Sequence, residues 1–240
     1  MLDLLPAPAT LSPALRVYAV GDIHGCLDRL RALHMAIAAD LAERPVARAV
    51  LIHVGDLIDR GPDSAGVVDF LAGEPRPGGV AETTTLLGNH EALMLAASDA
   101  PEADEAARVW VANGGADALH SWHVPRQTEP KDWSAHLPAA HVAFLRARPL
   151  SRRIDGYLFV HAGIRPGVPI EHQERHDLLW IREPFLSSKA DHGVVVVHGH
   201  TPRPAPEVRP NRIGIDTGAV MGGTLTCLVL EEDRLGFLST

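Results

Sequence analysis

Five short stretches of the chain place a metal-ligand residue type beside glycine at the end of an apolar run. Asp22 and His24 lie in Gly21-Asp22-Ile23-His24-Gly25, and Asp56 and Asp59 lie in Gly55-Asp56-Leu57-Ile58-Asp59-Arg60-Gly61. Asn89 and His90 lie in Gly88-Asn89-His90-Glu91, His161 opens His161-Ala162-Gly163, and His198 and His200 flank Gly199 ahead of Thr201. Aspartate, histidine and asparagine without a convincing thiolate make a nitrogen and oxygen donor set. Such a set suits Mn, Fe, Zn, Ni or Co rather than Cu(I) or an iron–sulfur cluster. There are ligands enough for two ions, and a carboxylate must bridge them if they sit ~3.5–4 Å apart. Neighbouring glycines let the backbone turn tightly beside an ion. Asp22-x-His24 alone is a weak signal; the seven-residue run from Gly55 to Gly61 is far more specific, and Gly88 to Glu91 adds to it independently.

These residues need a scaffold that brings them together. Arg16 to Val20 reads as a strand, Leu27 to Glu43 as a helix with apolar residues at Leu27, Leu30, Leu33, Ile37 and Leu41, and Ala49 to Val54 as a buried strand. Ser64 to Leu71 reads as a helix and Thr83 to Leu87 as a third strand. Later strand-like runs are Tyr157 to Val160, Gly193 to Val197, Arg212 to Ile215, Thr224 to Leu230 and Leu235 to Leu238. Strands alternating with helices imply an α/β sheet with helical crossovers, in which ligands gather beyond the carboxyl ends of the strands. Between them, residues 98–149 read as a mostly helical insert with a turn at Asn113-Gly114-Gly115. Residues 1–15, with Pro6, Pro8 and Pro13, read as a loose leader without the character of a secretory signal, and 16–240 as one domain.

Composition narrows the function classes. The 240 residues are 46% hydrophobic and 22% charged, which fits a globular domain rather than disorder or coiled coil. No apolar run approaches the ~18 residues of a membrane span, so no membrane partner is expected. A formal charge of −8 speaks against non-specific nucleic-acid binding. Two cysteines, Cys26 and Cys227, build no disulfide framework and fit a reducing, cytoplasmic setting. The 14 histidines stand out against an aromatic content of 5%, so their placement matters most.

Taken in order, Asp22-x-His24, Gly55 to Gly61, Gly88 to Glu91, His161-Ala162-Gly163 and Gly199-His200-Thr201 resemble the phosphoprotein phosphatase branch of the calcineurin-like metallophosphoesterases. The resemblance spans about Arg16 to Leu230 and is greatest to the small bacterial and lambda-type phage serine/threonine phosphatases. Asn113-Gly114-Gly115, Leu179-Trp180-Ile181-Arg182 and Ile215 to Val220 support it. It implies a central β-sandwich flanked by helices in place of the simpler single sheet. It implies Asp22 and His24 on one metal, Asp56 bridging, and Asn89, His161 and His200 on the second. His90 becomes the histidine beside the metals, oriented by Asp59, and Arg60 and Arg182 the phosphate grip, with Arg182 resting only on its short Trp-x-Arg context. Two divalent ions are implied, Mn²⁺ by resemblance to the bacterial members, with Fe or Zn compatible with the same ligands.

The expected reaction is hydrolysis of a phosphomonoester by a hydroxide held between the metals, with His90 protonating the leaving oxygen. A positioned general acid contributes ~10²–10⁴-fold. The expected substrates are phosphoserine and phosphothreonine in proteins, with phosphotyrosine and aryl phosphates beyond them. A symmetrical dinucleoside tetraphosphate hydrolase is the alternative within the same chemistry. The intact Asp59-Arg60-Gly61 and Asn89-His90-Glu91 favour the phosphatase, while Gly222 to Cys227 resembles the hydrolase group. An inactive phospho-ligand binding module is the alternative of another class, disfavoured because every expected ligand is present.

The remaining residues carry quieter expectations. His53 and His198 are structural or supporting, His34 packs or faces solvent, and His120, His123, His136, His141, His172, His176 and His192 are ordinary surface histidines. Trp110, Trp122 and Trp133 are the core of a small helical cap, Trp180 aims Arg182, and Asp216-Thr217-Gly218 is a turn that supports the site.

Overall fold

The computed structural model describes residues 2–74, 76–99 and 104–240. The opening segment, expected as a loose leader, is docked instead. Leu5–Pro6 forms β1 and pairs antiparallel with the last strand of the chain, and Leu11 is 2% exposed in the core. There follow β2 (Leu15–Val20), α1 (Leu27–Glu43), β3 (Arg48–His53), α2 (Ser64–Ala72), β4 (Glu82–Thr85) and α3 (Asn89–Asp99). Next come α4 (Asp104–Trp110), α5 (Ala116–Ser121), α6 (Ala139–Arg146), β5 (Ser151–Ile154), β6 (Tyr157–Val160) and α7 (Arg175–Trp180). The chain closes with β7 (Val195–His198), β8 (Glu207–Val208), β9 (Arg212–Gly214), β10 (Thr226–Glu231) and β11 (Arg234–Ser239).

The strands make two sheets, in the orders β1-β11-β10-β2-β3-β4 and β5-β6-β7-β9-β8. β2, β3 and β4 of the first sheet and β6, β7 and β9 of the second run parallel; antiparallel strands flank them on one side of the first sheet, which ends on β4, and on both sides of the second. Strand parity explains why they stack. Val17 and Ala19 of β2, Val50 and Ile52 of β3, and Leu228 and Leu230 of β10 meet Tyr157, Phe159, Val195, Val197 and Ile213 of the other sheet in one core. The alternate residues of the first sheet (Tyr18, Val20, Ala49, Leu51, Cys227, Val229) face α1 and α2. Those of the second (Leu158, Val160, Val196) face Leu178, Ile181 and Phe185. Each central strand is covered on both faces, so it reads as an unbroken apolar run. That is why pattern alone could not count the sheets, and why the sandwich was legible only through resemblance.

The expected elements are found within a few residues. The stripe Leu27, Leu30, Leu33, Ile37 and Leu41 is the buried face of α1. The Asp63 carboxylate caps α2 by accepting from Gly66 N–H at 2.8 Å. The strands β1, β5 and β8, unexpected from the sequence, are short and at or near sheet edges, with few fully buried residues. Trp110, Ala118, Trp122, Trp133 and Leu145 of the helical stretch join the core around α1 and α2, so this stretch extends the helical layer. No helix among the described residues is long and apolar enough to cross a membrane.

The docked leader makes a testable difference. Leu11→Ala is expected to lower unfolding free energy by about 2–5 kcal/mol, the usual cost of truncating a buried leucine; urea unfolding showing no change would return residues 2–14 to a loose leader.

Candidate active site

Parallel strands from the two sheets all aim their carboxyl ends at one place. Asp22 and His24 follow β2, Asp56 follows β3, Asn89 and His90 begin α3 after β4, His161 follows β6, and His200 follows β7. These ends turn sharply. Among the described residues, His24, Asp56, Asp59, Arg60 and His200 account for five of the ten non-glycine residues with positive φ, so half of this strain is concentrated at the site. Such conformations cost of order 1–3 kcal/mol each and persist only when the surroundings over-determine them.

Asp56 sits at the middle. Its Oδ2 is 3.6 Å from His24 Nε2 and 3.9 Å from His90 Nε2, and its Oδ1 is 3.3 Å from His161 Nε2. Oδ1 also accepts the backbone N–H of His90 at 3.1 Å, at the start of α3. Asn89 Oδ1 lies 2.8 Å from both His161 Nε2 and His200 Nδ1. Asp22 accepts the N–H of His200 at 3.0 Å, linking the first sheet's loops to the second's. Two groups of donor atoms, His24–Asp56–His90 and Asp56–His161–His200, are each close enough together for one ion, and they share Asp56.

The donor chemistry fits cations. His24 donates from Nδ1 to Ile58 C=O at 2.7 Å, and His161 from Nδ1 to Val54 C=O at 3.0 Å. In the neutral rings this leaves the Nε2 lone pairs pointing inward. At His161 that lone pair faces Asn89 Oδ1 and Asp56 Oδ1, three electron-rich atoms together, an arrangement that calls for a positive centre. Asp22, Asp56, Asp59, Glu91 and Asp216 are all at most 7% exposed. Buried carboxylates cost several kcal/mol each unless paired. Burial, then the Asp216 and Asp56 carboxylates, push Asp22 well above its ordinary pKa. Burial and Asp56 push Glu91 up to about 7. Burial would also raise Asp56, but His161, His90 and His24 outweigh it and hold Asp56 well below its ordinary value. The cluster is short of positive charge, and divalent ions are what its donor types would take.

His90 is held by the pair that the sequence suggested. Its Nδ1–H donates to Asp59 Oδ2 at 2.7 Å, leaving Nε2 toward the Asp56 side. Burial lowers the His90 pKa, yet the Asp56 and Asp59 carboxylates more than compensate, so it is raised. Arg60 is exposed, with Nη1 2.9 Å from His24 Nε2. Arg182 is exposed and near enough to depress His200. Trp180 sets its ring edge-on to His200 at 6.2 Å between centroids, so it packs on the histidine itself.

Other histidines sort differently. His200 lies beyond the strand end with φ 64°, so it does not share the direction of His198. His198 instead donates to Gly199 C=O at 3.0 Å and packs on Phe185. His34 and His53 meet at 3.1 Å in the core, with Thr85 Oγ1 on the far side of His53. His141, expected at the surface, is buried and takes the Trp122 indole N–H at its Nδ1 at 3.0 Å. Asp216 accepts Gly218 N–H at 3.0 Å, the turn that was expected.

Two residues escaped the sequence reading of roles. Glu91 was quoted as part of a motif but given no task. Its Oε2 accepts the N–H of Asp56 at 3.0 Å and of Gly88 at 2.8 Å, and its Oε1 those of Leu57 at 2.8 Å and Ile58 at 3.3 Å. A side chain at Gly88 would lie 2.6 Å from that Oε2, so only glycine lets the two loops close over it. The Trp110 indole N–H reaches Asp59. For Glu91 the signal was its place three residues after Gly88 in a helix start; for Trp110 there was none local.

Comparison with known proteins is consistent with this geometry. Residues 15–223 match the model of the calcineurin-like phosphoesterase family. The chain is 32% identical over 233 residues to a serine/threonine-protein phosphatase 1 of Salmonella typhimurium, covering 88% of this chain and 89% of that one. It is 35% identical over 150 residues to a symmetrical bis(5'-nucleosyl)-tetraphosphatase of Methylococcus capsulatus, covering 62% of this chain and 44% of that one. In fold it resembles a cold-active protein-tyrosine phosphatase of a psychrophilic Shewanella, with a TM-score of 0.62 over 96% of this chain and 83% of that chain at 18% identity.

Glu91→Gln keeps the shape but turns amide hydrogens toward backbone donors. It is expected to lower stability by about 1.5–3 kcal/mol, the worth of a charged hydrogen bond, and to weaken Mn²⁺ binding by about 10- to 100-fold. Calorimetric titration and urea unfolding read the two effects; unchanged affinity would show that the cradle does not set the site.

Proposed function

The chain belongs to the calcineurin-like phosphoesterase family, and from that premise we propose that it is a two-metal phosphomonoesterase acting on phosphoserine and phosphothreonine. The observation that carries the substrate class is the similarity to the Salmonella phosphatase along nearly the full length of both chains. In this reading Asp22 and His24 hold one ion, Asn89, His161 and His200 the other, and Asp56 is shared. When bound, the ions supply positive charge against a phosphate dianion and lower the pKa of the water that attacks phosphorus.

The chain's own residues do the rest. Arg60 gives up the His24 lone pair when that ring serves as a ligand, and its exposed guanidinium is then free to fork a phosphate. Arg182, on the opposite sheet's loop, grips the phosphate from the His200 side. His90 carries a proton on Nε2 toward the leaving oxygen, and Asp59 keeps its Nδ1–H occupied so that the ring presents that nitrogen. Substrate phosphate arrives at an acidic protein, so binding depends on the local charge of this pocket rather than on the net charge.

Symmetrical hydrolysis of dinucleoside tetraphosphates is the second reading, favoured by the 35% identity to the Methylococcus enzyme over part of the chain. The two are separated by loading the protein with Mn²⁺ and offering a phosphothreonine peptide and diadenosine tetraphosphate in parallel. Faster phosphate release from the peptide is the expected outcome. Faster ADP production would hand the site to the second reading with the same ligands. Asp56→Asn is expected to lower turnover of either by at least ~10²-fold, the scale of losing one preorganised electrostatic group. Phosphopeptide binding without turnover by both forms, metal added, would make the protein a binding module.

A further inference from the structure

The helical stretch between the sheets touches the catalytic loop at two points. Trp110, the last residue of α4, is fully buried, and its indole N–H donates to Asp59 at 3.0 Å from Oδ1 and 2.9 Å from Oδ2. The same Oδ2 takes the His90 Nδ1–H. The Asp59 carboxylate is 0% exposed, and among the described residues these two N–H groups are its hydrogen-bond donors. A buried carboxylate with two donors loses much of its support, and its directional hold on a neighbour, when one is removed.

The turn that follows is shaped to allow both contacts. Between α4 and α5 the helical path breaks in a kink at Gly114, whose φ of 107° and ψ of 9° are not helical. A Cβ at Gly115 would lie 2.7 Å from the Trp110 indole ring, so glycine there gives the indole its seat. Gly114 has φ 107°, accepts the Arg60 N–H on its carbonyl at 3.2 Å, and a Cβ there would lie 2.6 Å from Arg60 Cγ. Asp59 and Arg60 both sit at positive φ, at 72° and 66°, and need bracing from outside their own loop.

We infer that Trp110 is a positioning residue for leaving-group protonation, acting through Asp59 on His90, and that Gly115 and Gly114 divide the bracing, one seating the Trp110 indole and the other Arg60. The inference rests on the reading of His90 as proton donor. Trp110, fully buried behind Asp59, fixes the carboxylate that fixes the imidazole. Trp133, edge-on to Trp110 at 5.6 Å between centroids, backs the indole from the far side.

Leaving groups of different basicity test this. An alkoxide from phosphothreonine needs a proton as it departs, whereas p-nitrophenolate leaves without one. Trp110→Phe, which keeps an aromatic ring and removes the N–H, is expected to lower kcat on the phosphothreonine peptide by about tenfold or more, within the range a general acid supplies. On p-nitrophenyl phosphate its kcat should stay within about twofold, and Mn²⁺ content should match the parent. Gly115→Ala, whose backbone conformation suits alanine, should give the same split by displacing the indole, and it decides the matter if Trp110→Phe fails to fold. Gly114→Ala should instead raise KM on both esters through Arg60, with no leaving-group dependence. Equal losses on both esters in Trp110→Phe and Gly115→Ala, or no loss, would overturn the inference while leaving the phosphoesterase reading standing. A metal-loaded parent protein that cleaves neither ester would sink that reading itself, and the inference with it.

Discussion

The Glu91 carboxylate is the interaction on which the site depends. Four backbone N–H groups from two separate loops converge on its two oxygens. One of those loops carries Asp56 and Asp59, and the other leads to Asn89 and His90 at the start of α3. Without a shared acceptor these N–H groups would be buried donors with nowhere to go, since the loops have left their sheet ladders. With it, the loop after β3 is tied to the first turn of α3, and the Asp56 carboxylate in turn meets the His90 N–H. A helix start favours negative charge. The carboxylates of Asp56 and Glu91 both lie there, which offsets part of the cost of burying them.

What remains uncompensated calls for cations. Asp22, Asp59 and Asp216 add to that cluster, and the direction of the pKa shifts shows which charges are satisfied. Asp56 is held low by the histidines around it, whereas Asp22, Asp59, Glu91 and Asp216 are raised, in each case first by burial. A protein core that only needed stability would replace such a group with apolar residues at no loss. A centre for divalent cations needs this excess of negative charge and pays for it with strained backbone and a buried cradle. Net charge is a poor guide to such a site. The chain is acidic as a whole, yet its ligand loops bring arginines from both sheets to the edge of the donor cluster.

The sequence made the candidate ligands legible because each follows a strand, beside a glycine, in a motif that chance rarely assembles. The residues that position the ligands were harder to see, for physical reasons. Glu91 looks like an ordinary first-turn acid until the approach of the loop after β3 is known. His34 and His141 lie on helices whose polar residues are normally solvated, and only tertiary packing buries them. The docked leader hid because Pro6, Pro8 and Pro13 suit an edge strand as well as a loop, and one buried leucine, Leu11, is too little pattern to read. The sandwich was legible only through resemblance, for the opposite reason: strands covered on both faces have no polar side to show which face meets which sheet.

The helical stretch between the sheets illustrates why position in a fold can outweigh position in a motif. It was expected as a mostly helical insert with Trp110, Trp122 and Trp133 as the core of a small cap. Its outer half fits that view, with Trp133 and the turn after α5 packing among themselves and on the helical layer. Its inner half does not. The kink around Gly114 brings an indole N–H and a glycine carbonyl to consecutive residues of the loop after β3, Asp59 and Arg60. A change at Gly115 reaches Asp59 through the Trp110 indole and one at Gly114 reaches Arg60, because a closely packed interior transmits displacement instead of absorbing it. The insert therefore joins two layers of contact in one segment: packing on the helical layer, and a brace on the loop that carries Asp59 and Arg60.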